Sequence, residues 1–374
     1  MALLFMDSYD HYATADLTEK YTQLLEGSPG GGPAPTATIG AFGRRSTSGL
    51  RCISGGSSLN FTAKFPAFVL TATGAIVVVG FAWKQANSTY GALQVGTNVD
   101  DLSDNSAVCS NALVVIRQGS VTQGFLRVNT NGTLSYVRGP GASQTVLGTT
   151  ALALALGTTY YIELKVEISN TVGTVDIHVD GAPWLALTTQ DTQATASATW
   201  NELWLNKPSG VTIQWDWDDL YVCDGSGAAP WNTFLGDCRV DALYPTGAGA
   251  TTGWTPSAGA NWQCVDDTAP NDDTDYTTAS SAGLVDTFVV SDAPVPGAAI
   301  YGVQHCLSAK KTDAGTATIA PVIRHSGVDY VGADLFPGTG YTYARVIDVL
   351  NPGTAAAWTE AGFNAAEFGV KRTT

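Results

Sequence analysis

Two neighbouring segments, Tyr160-Tyr-Ile-Glu-Leu-Lys-Val-Glu-Ile168 and Val175-Asp-Ile-His-Val179, decide the fold of this 374-residue chain. In both segments apolar residues alternate with charged or polar residues, which is typical of a β-strand with one buried face and one wet face. Asp180-Gly181 follows the second segment, and Gly at such a step supplies the positive φ that a tight turn needs. The pair therefore predicts an antiparallel hairpin whose charged residues, with His178 among them, lie on a solvated outer face.

Short strand patterns recur about every ten residues on both sides of this hairpin. Asn131-Gly132 marks another tight turn between apolar segments, whereas helix periodicity with caps at both ends is not found in the sequence. Hydrophobic residues make up 44% of the chain and charged residues 14%, which indicates a packed core and excludes a disordered chain. We therefore predict an all-β fold.

The strand rhythm is interrupted at Asp224-Gly-Ser-Gly-Ala-Ala-Pro230, a stretch of small residues and proline that is typical of a domain boundary. Strand patterns resume after it and continue to the last residues. We therefore predict two β-sandwich domains, 1–224 and the smaller 234–374, joined by a linker at 225–233.

The charge balance bears on the partners of the protein. The chain carries 33 acidic and 18 basic residues, a net charge of −15, which repels the phosphates of nucleic acid and of anionic lipids. Its longest apolar stretch, residues 74–83, is half of what a membrane-spanning helix needs, and its N-terminus lacks the layout of a secretory signal. We expect neither nucleic acid nor a membrane as a partner.

One group of acids is a candidate metal site. Asp216, Asp218 and Asp219 lie close together in the sequence near the end of the first predicted domain. Clustered carboxylates are the usual ligands of calcium, so the group is a candidate calcium site. The alternative is a strand end with solvated acids. Apart from this candidate, we expect no cofactor.

The six cysteines are spaced too widely for a Cys-x-x-Cys zinc or redox site. They are either small buried hydrophobic residues, or some of them form disulfides within or between subunits once the protein leaves a reducing cytosol. The candidates for pairing are Cys109, Cys238 and Cys264, with Cys109 foremost because its surroundings are polar and loop-like.

Motifs of common catalytic centres are missing from the sequence. It has no Gly-x-Ser-x-Gly, no His-Glu-x-x-His and no phosphate-binding loop, and its four histidines lack acidic or cysteine partners at ligand spacing. Glu163 and Glu167 flank Lys165 on one strand face, a pattern that favours a solvated face over a glycosidase pair. We therefore expect a protein that acts by contact and is not an enzyme.

Three tryptophans are candidate glycan contacts. Trp231, Trp254 and Trp262 lie in loop-like surroundings rich in glycine and other small residues. An exposed indole ring can stack on a pyranose ring, although tryptophan is more often a core residue.

Several segments resemble a known family. Phe5-Met-Asp-Ser-Tyr-Asp-His-Tyr-Ala-Thr-Ala15 and Trp217-Asp-Asp-Leu-Tyr-Val-Cys-Asp224 resemble the first and last strands of concanavalin A-like (laminin G-like) jelly rolls in structural proteins of tailed bacteriophages. Phe234-Leu-Gly-Asp-Cys-Arg-Val240 and Gly253-Trp-Thr-Pro-Ser-Ala-Gly-Ala-Asn-Trp262 look like the module that follows this jelly roll in phage virion proteins. The resemblance covers nearly the whole chain.

The resemblance implies a concanavalin A-like jelly roll followed by a C-terminal β-sandwich, in a structural protein on the exterior of a tailed-phage virion. A neck, collar or tail-associated appendage is the favoured position. Capsid decoration and a carbohydrate-binding adhesion module are the alternatives. The partners implied are other copies of the chain, other virion proteins and host surface glycans, with assembly in the cytoplasm of the host bacterium.

Overall fold

The computed structural model describes residues 3–21, 36–45, 47–53, 65–69, 74–87, 111–119, 121–139, 143–205 and 213–374. The chain divides into two compact units. Unit 1 comprises Met1–Tyr9 and Thr14–Val240, and unit 2 comprises Asp10–Ala13 and Asp241–Thr374. The predicted linker 225–233 and the first residues of the predicted second domain, up to Val240, thus belong to unit 1, because hydrogen bonds described below hold them to its larger sheet.

The described part of unit 1 consists of strands and two short helices. The strands are β1 (Leu3–Asp7), β2 (Thr36–Gly40), β3 (Gly49–Ile53), β4 (Phe65–Val69), β5 (Ile76–Gln85), β6 (Ala112–Gln118), β7 (Val121–Val128), β8 (Thr133–Arg138), β9 (Thr145–Ala153), β10 (Tyr160–Glu167), β11 (Gly173–Val179), β12 (Ala182–Gln190), β13 (Glu202–Leu205) and β14 (Gln214–Cys223). The helices are a 3-10 turn at Thr14–Asp16 and α1 (Leu17–Lys20).

These strands form two antiparallel sheets. The larger has eight strands in the order β12-β11-β10-β5-β14-β3-β2, with β1 paired to β14 as well, and the smaller has six in the order β4-β13-β6-β7-β8-β9. The predicted hairpin is confirmed as β10–β11, in which Ile162 pairs with Val179 and Glu167 with Thr174. The predicted apolar positions of β10 are fully buried.

An aromatic layer covers the apolar face of the larger sheet. The rings of Trp83 and Trp215 are 5.6 Å apart, Trp217 is 6.3 Å from Trp215, and Phe81 is 4.9 Å from Trp217. All four side chains are at most 1% exposed. Each such side chain contributes about 2 kcal/mol or more on burial, so this layer is a main source of the stability of unit 1.

Unit 2 is a smaller all-β unit. Its elements are β15 (Pro245–Thr252), β16 (Thr255–Pro256), a 3-10 helix (Asn261–Cys264), β17 (Thr277–Thr278), β18 (Val285–Val290), β19 (Val303–Ala309), β20 (Ile319–His325), β21 (Val328–Val331), β22 (Thr342–Asp348), β23 (Leu350–Asn351), β24 (Ala356–Ala357), α2 (Glu360–Asn364) and β25 (Glu367–Arg372). A five-stranded sheet of order β15-β18-β25-β20-β21 is accompanied by the two-stranded pairs β16–β17, β19–β22 and β23–β24.

The core of unit 2 lies on this five-stranded sheet. Ile323, Trp358, Phe363 and Phe368 form one buried cluster, with the Phe363 and Phe368 rings 5.3 Å apart. The β19–β22 pair packs onto the same cluster through His305, whose ring lies 5.7 Å from Phe368. The predicted all-β class with a β unit in each half of the chain is therefore confirmed. Within the described residues, no helix has the length and apolar character required to cross a bilayer.

We predict that unit 2 loses stability in mild acid through His305. Burial lowers the pKa of this histidine to about 4, below the value near 6.5 of an unfolded chain. The unfolded chain therefore binds more protons between these values. The free energy of unfolding is highest above pH 6.5, where His305 is neutral in both states. It falls by up to about 3 kcal/mol between pH 6.5 and about 4, and this histidine lowers it no further at more acidic pH.

Hydrogen exchange of the β20 and β25 amides at a series of pH values measures this dependence. His305→Gln should flatten the profile between pH 6.5 and 4, whereas His325→Gln, at the end of β20, should leave it in place. An identical profile in His305→Gln and the unmodified protein would contradict the assignment.

Candidate functional site

A ten-residue segment, 231–240, lies over the polar face of the larger sheet, and we name it the strap. Tyr221 donates its hydroxyl hydrogen to Oε1 of Glu163 at 2.5 Å. The backbone N–H of Leu235 donates to the Tyr221 hydroxyl at 3.1 Å, and that of Gly236 donates to the same Glu163 oxygen at 2.9 Å. The buried Glu163 carboxylate thus accepts hydrogen bonds both from the sheet and from the strap.

The tyrosine reaches Glu163 because the strand between them has no side chain at that point. Tyr221 on β14 and Glu163 on β10 are both opposite Gly80 on β5. A Cβ atom at Gly80 would stand 2.1 Å from a ring carbon of Tyr221. Burial and the neighbouring Glu163 carboxylate raise the pKa of Tyr221 well above its ordinary value, so its hydroxyl stays protonated and remains a donor.

Two further contacts hold the strap against the sheet. Lys165 donates from Nζ to the carbonyl oxygen of Asn232 at 3.2 Å, and the His178 ring lies 4.2 Å from the ring of Phe234. Glu163 is only 1% exposed. The expectation of a solvated outer face is therefore wrong at Glu163, because the strap returns over that face about 70 residues further along the chain, and His178 is half-buried.

The three aspartates proposed as calcium ligands lie on the same face and are almost fully buried. Asp216 accepts two hydrogen bonds from the Arg51 guanidinium, at 2.7 and 2.8 Å. This bidentate bond raises the pKa of Arg51 above its ordinary value. The Arg51 guanidinium also lies 3.8 Å from the centre of the Phe42 ring, so the pair is shielded on that side as well.

Two other arginines neutralise Asp219, and one of them also binds Asp218 through its backbone. Arg44 and Arg45 each donate to Oδ2 of Asp219 at 2.6 Å, and the backbone N–H of Arg44 donates to Asp218 at 2.9 Å. Asp218 also accepts the backbone N–H of Asp219 at 2.8 Å. The described residues contain no group of three or more metal-ligating side chains placed to hold an ion. Guanidinium groups bind Asp216 and Asp219, and backbone N–H groups bind Asp218, which disfavours a cation at these carboxylates. The calcium hypothesis for Asp216, Asp218 and Asp219 stays a prediction.

This network also fastens the far end of the strap. Arg44 donates to the carbonyl oxygen of Cys238 and pairs with Asp237 at 2.5 Å. The backbone N–H of Val240 donates to Oδ1 of Asp219 at 2.7 Å. These bonds place the end of unit 1 at Val240 and give the acids a structural role.

The two candidate cysteines that the structure describes, Cys238 and Cys264, are free thiols. Cys238 is a partly buried free thiol in the strap, and Cys264 is a buried free thiol in the 3-10 helix of unit 2 that donates to the Ala258 carbonyl oxygen at 2.9 Å. Burial raises the pKa of Cys238 to about 12, which disfavours the reactive thiolate. Cys109 lies outside the described residues, and pairing between subunits stays a prediction.

The structure separates the three candidate tryptophans. Trp231 is half-buried at the start of the strap in unit 1, whereas Trp254 and Trp262 are half-buried in unit 2. Trp254 donates its indole N–H to the carbonyl oxygen of Leu284 at 3.2 Å, and its backbone N–H to Asp286 at 3.0 Å. Trp254 is therefore bonded within its own fold, and Trp262 is the better placed of the two for an outside ligand.

An aromatic and acidic surface of unit 2 includes Trp262 and residues that the sequence analysis did not single out. Trp262 lies on the 3-10 helix beside β16, and β16 pairs with β17, which directly follows Tyr276. The backbone of Tyr276 is fixed by two 2.8–2.9 Å hydrogen bonds to Ser257, while its side chain is 39% exposed. The β16–β17 hairpin thus presents an exposed phenol ring on a rigid backbone.

Polar groups beside this hairpin are held in fixed positions. Asp273 accepts hydrogen bonds from Lys310 at 2.5 Å and from the Tyr341 hydroxyl at 3.0 Å, and Lys310 also lies 4.5 Å from the centre of the Tyr341 ring. Burial and the bond to Asp273 raise the pKa of Tyr341 to about 12, and Tyr276 adds to this shift. The bond from Lys310 lowers the pKa of the Asp273 carboxyl.

A second set of polar groups completes the surface. Asn271 donates through its amide to Asp267 at 2.7 Å and to Asp275 at 2.5 Å. Desolvation and the nearby Asp275 raise the pKa of Asp267 above its ordinary value. Asp275 directly precedes Tyr276, so these amide and carboxylate groups lie on the segment that leads into Tyr276. We name Trp262, Asn271, Asp275, Tyr276 and Tyr341 the hairpin surface.

No family model and no curated protein sequence matches the chain. Several solved structures are distantly similar to the chain. A heptameric SAP-like pentraxin from Limulus polyphemus has 14% identity over 45% of this chain and 73% of its own, with a TM-score of 0.27. The carbohydrate-binding module CBM66 from Bacillus subtilis has 10% identity over 50% of this chain and 88% of its own, with a TM-score of 0.26.

A sialidase has 11% identity over 59% of this chain, with a TM-score of 0.33. This chain matches only 18% of the sialidase's length. Likeness at this level concerns the fold alone.

We predict that Gly80→Ala destabilises unit 1 by about 2–3 kcal/mol. The added methyl group must displace the Tyr221 ring, whose hydroxyl donates to Glu163 and accepts from the backbone of Leu235. Gly74→Ala is the matched control, since a Cβ there meets nothing within 4 Å. Thermal unfolding followed by circular dichroism measures both. Equal melting temperatures for the two variants would show that Tyr221 does not depend on the open space at Gly80.

We predict that Asp219→Asn costs about 3 kcal/mol, because two guanidinium groups lose the charge that offsets their desolvation. Asp237→Asn removes an exposed partner of the same Arg44 and should cost less than about 1 kcal/mol. Urea unfolding measures the difference. A stabilisation of the unmodified protein by millimolar calcium that Asp219→Asn abolishes would contradict the arginine assignment and restore a metal site.

Proposed function

We propose that this protein is a non-catalytic carbohydrate-binding adhesion module whose glycan site is the hairpin surface of unit 2. The observation that carries the proposal is the exposed Tyr276 ring on a backbone fixed by Ser257. Carbohydrate sites use such a ring as a stacking platform for the apolar face of a pyranose, with polar groups at its edge for the hydroxyls. Asn271 and Asp275 provide those groups, already oriented by their mutual hydrogen bond.

Preorganisation supports this site over other exposed aromatic residues. Phe336 is 78% exposed, but among the described residues no polar side chain next to it is fixed by a hydrogen bond or an ion pair. At the hairpin surface, by contrast, Lys310 and Tyr341 both donate to Asp273, and the backbone of Tyr276 is bonded to Ser257. A site whose groups are already fixed loses less conformational entropy when a ligand binds.

The charge of the site determines the class of sugar. Asp267 and Asp275 lie at this turn, and the chain as a whole carries a net charge of −15. Uronic and sialic acids would meet like charge there. We therefore assign neutral glycans as the ligand class.

We propose the exterior of a tailed-phage particle as the setting of this module, at the neck or tail, with capsid decoration as the alternative. The support for this setting is the sequence resemblance of Phe5–Ala15, Trp217–Asp224 and Phe234–Val240 to virion structural proteins. Assembly in the bacterial cytoplasm, followed by attachment to host glycans, is the corresponding route. Electron microscopy of particles labelled at this protein tests it, and label spread over the whole head would favour capsid decoration.

No chemical step is part of the proposal. The acids of the larger sheet that come closest to a catalytic group are buried and bonded to arginine or to backbone N–H groups. These acids stabilise the larger sheet and the strap.

We predict that the full chain binds neutral glycans on an array and in titration calorimetry, and that Tyr276→Ala weakens this binding at least tenfold through loss of the stacking ring. Phe336→Ala removes another exposed ring of unit 2 and should leave affinity unchanged. Trp262→Ala should weaken binding less than Tyr276→Ala. Absence of binding by the unmodified protein at millimolar neutral sugar, or equal binding by Tyr276→Ala, would refute the proposal.

A further inference from the structure

Cys306 differs in its surroundings from the other cysteines that the structure describes. Cys52, Cys223 and Cys264 are buried, whereas Cys238 and Cys306 are half-buried free thiols. Burial raises the pKa of Cys238 to about 12, which disfavours its reactive thiolate. Cys306, on β19 of unit 2, instead lies beside a histidine.

This histidine is His11, which precedes Cys306 by 295 residues in the sequence. Its Nε2 atom is 3.7 Å from the Cys306 Sγ atom, a hydrogen-bonding distance for sulfur. The segment 10–13 belongs to unit 2, and the Tyr244 hydroxyl donates to the carbonyl oxygen of Asp10 at 2.8 Å. The contact between thiol and imidazole is therefore made within one unit.

Aromatic rings hold the imidazole in place. The His11 ring makes an edge contact with the Tyr12 ring, with centroids 5.1 Å apart, and its centroid lies 6.0 Å from that of Tyr343 on β22. Tyr12 itself is only 3% exposed. A base held in one orientation beside a thiol is the arrangement that activates cysteine as a nucleophile.

Groups that stabilise negative charge lie on the same strand face as the Cys306 sulfur. Gln304 donates from Nε2 to the Cys306 Sγ at 3.3 Å. Arg345 is directly opposite Cys306 in the β19–β22 pair, so both side chains leave the sheet on one face. Burial and the nearby Asp10 raise the pKa of Tyr244 above its ordinary value, so this phenol stays neutral. An amide donor and a cation stabilise a thiolate as it forms.

We propose that Cys306 is a modification site that forms mixed disulfides with small-molecule disulfides by thiol–disulfide exchange. His11 takes the thiol proton as the Cys306 sulfur attacks one sulfur of the incoming disulfide. A bond forms between these two sulfurs, the disulfide bond of the small molecule breaks, and its other sulfur leaves as a thiolate. The His11 imidazolium returns the proton to that thiolate. Cys306 is thereby oxidised and the leaving half is reduced, so the incoming disulfide is the only co-reactant.

Reaction of the full chain with oxidised glutathione, followed by mass spectrometry of its peptides, tests the proposal. Each cysteine is scored separately, and Cys238 is the internal reference as a second half-buried thiol. We expect Cys306 to form the mixed disulfide at least tenfold faster than Cys238. His11→Ala should slow the reaction of Cys306 at least tenfold and leave that of Cys238 unchanged. Added imidazole should restore the Cys306 rate, because it replaces the missing base.

Two controls separate the role of His11 from an effect on the fold. His325→Ala removes another half-buried histidine of unit 2, at the end of β20, and should leave the Cys306 rate unchanged. Cys264 is buried in the same unit, so its continued protection in His11→Ala shows that unit 2 stays folded.

Three outcomes would overturn the proposal. The first is a Cys306 rate no higher than that of Cys238 in the unmodified protein. The second is an unchanged rate in His11→Ala, and the third is a loss of rate that imidazole does not restore. The proposal does not rest on glycan binding, because the hairpin surface and this site share no residue, and glycan affinity is measured separately.

Discussion

The fold of unit 1 depends on charge neutralisation across strand β14. Trp215 and Trp217 fill the core from one face of this strand, and Asp216 and Asp218 alternate with them on the other. Buried carboxylates are destabilising unless they are paired, so the strand requires the bond from Arg51 to Asp216 and the donors that surround Asp218. The arginines come from the segment around β3, which fixes that segment beside β14.

The neutralised face in turn allows a polar sheet surface to be covered by irregular chain. The strap 231–240 needs acceptors for its backbone N–H groups, since buried amides without a partner are costly. Glu163 and Asp219 supply them to Gly236 and Val240. The polar residues that alternate along β10 and β14 therefore bind the strap. Such alternation usually indicates a face in contact with solvent, but here the strap covers the polar face.

This explains which features were predictable from sequence. The β10–β11 hairpin followed from local alternation, and the Asp180-Gly181 step marked the turn from β11 to β12, because both signals lie within a few residues. The role of Asp216 and Asp219 did not, because carboxylate clusters look alike whether calcium or arginine neutralises them, and the arginines are about 165–175 residues away. Tyr276 was missed because only the β16–β17 hairpin, a pair of two-residue strands, exposes its ring, and strands that short leave no periodic pattern.

The aspartates of β14 in unit 1 and Asp275 in unit 2 differ in whether they can bind an outside ligand. In unit 1 each buried aspartate of β14 has its partner within the fold, whereas Asp275 in unit 2 is bonded to a neutral amide and lies beside an exposed ring. Single neutral sugars bind weakly to such open surfaces, because few groups of the ligand are desolvated. An adhesion protein gains its strength from several weak contacts on one assembly, since each contact after the first is effectively intramolecular.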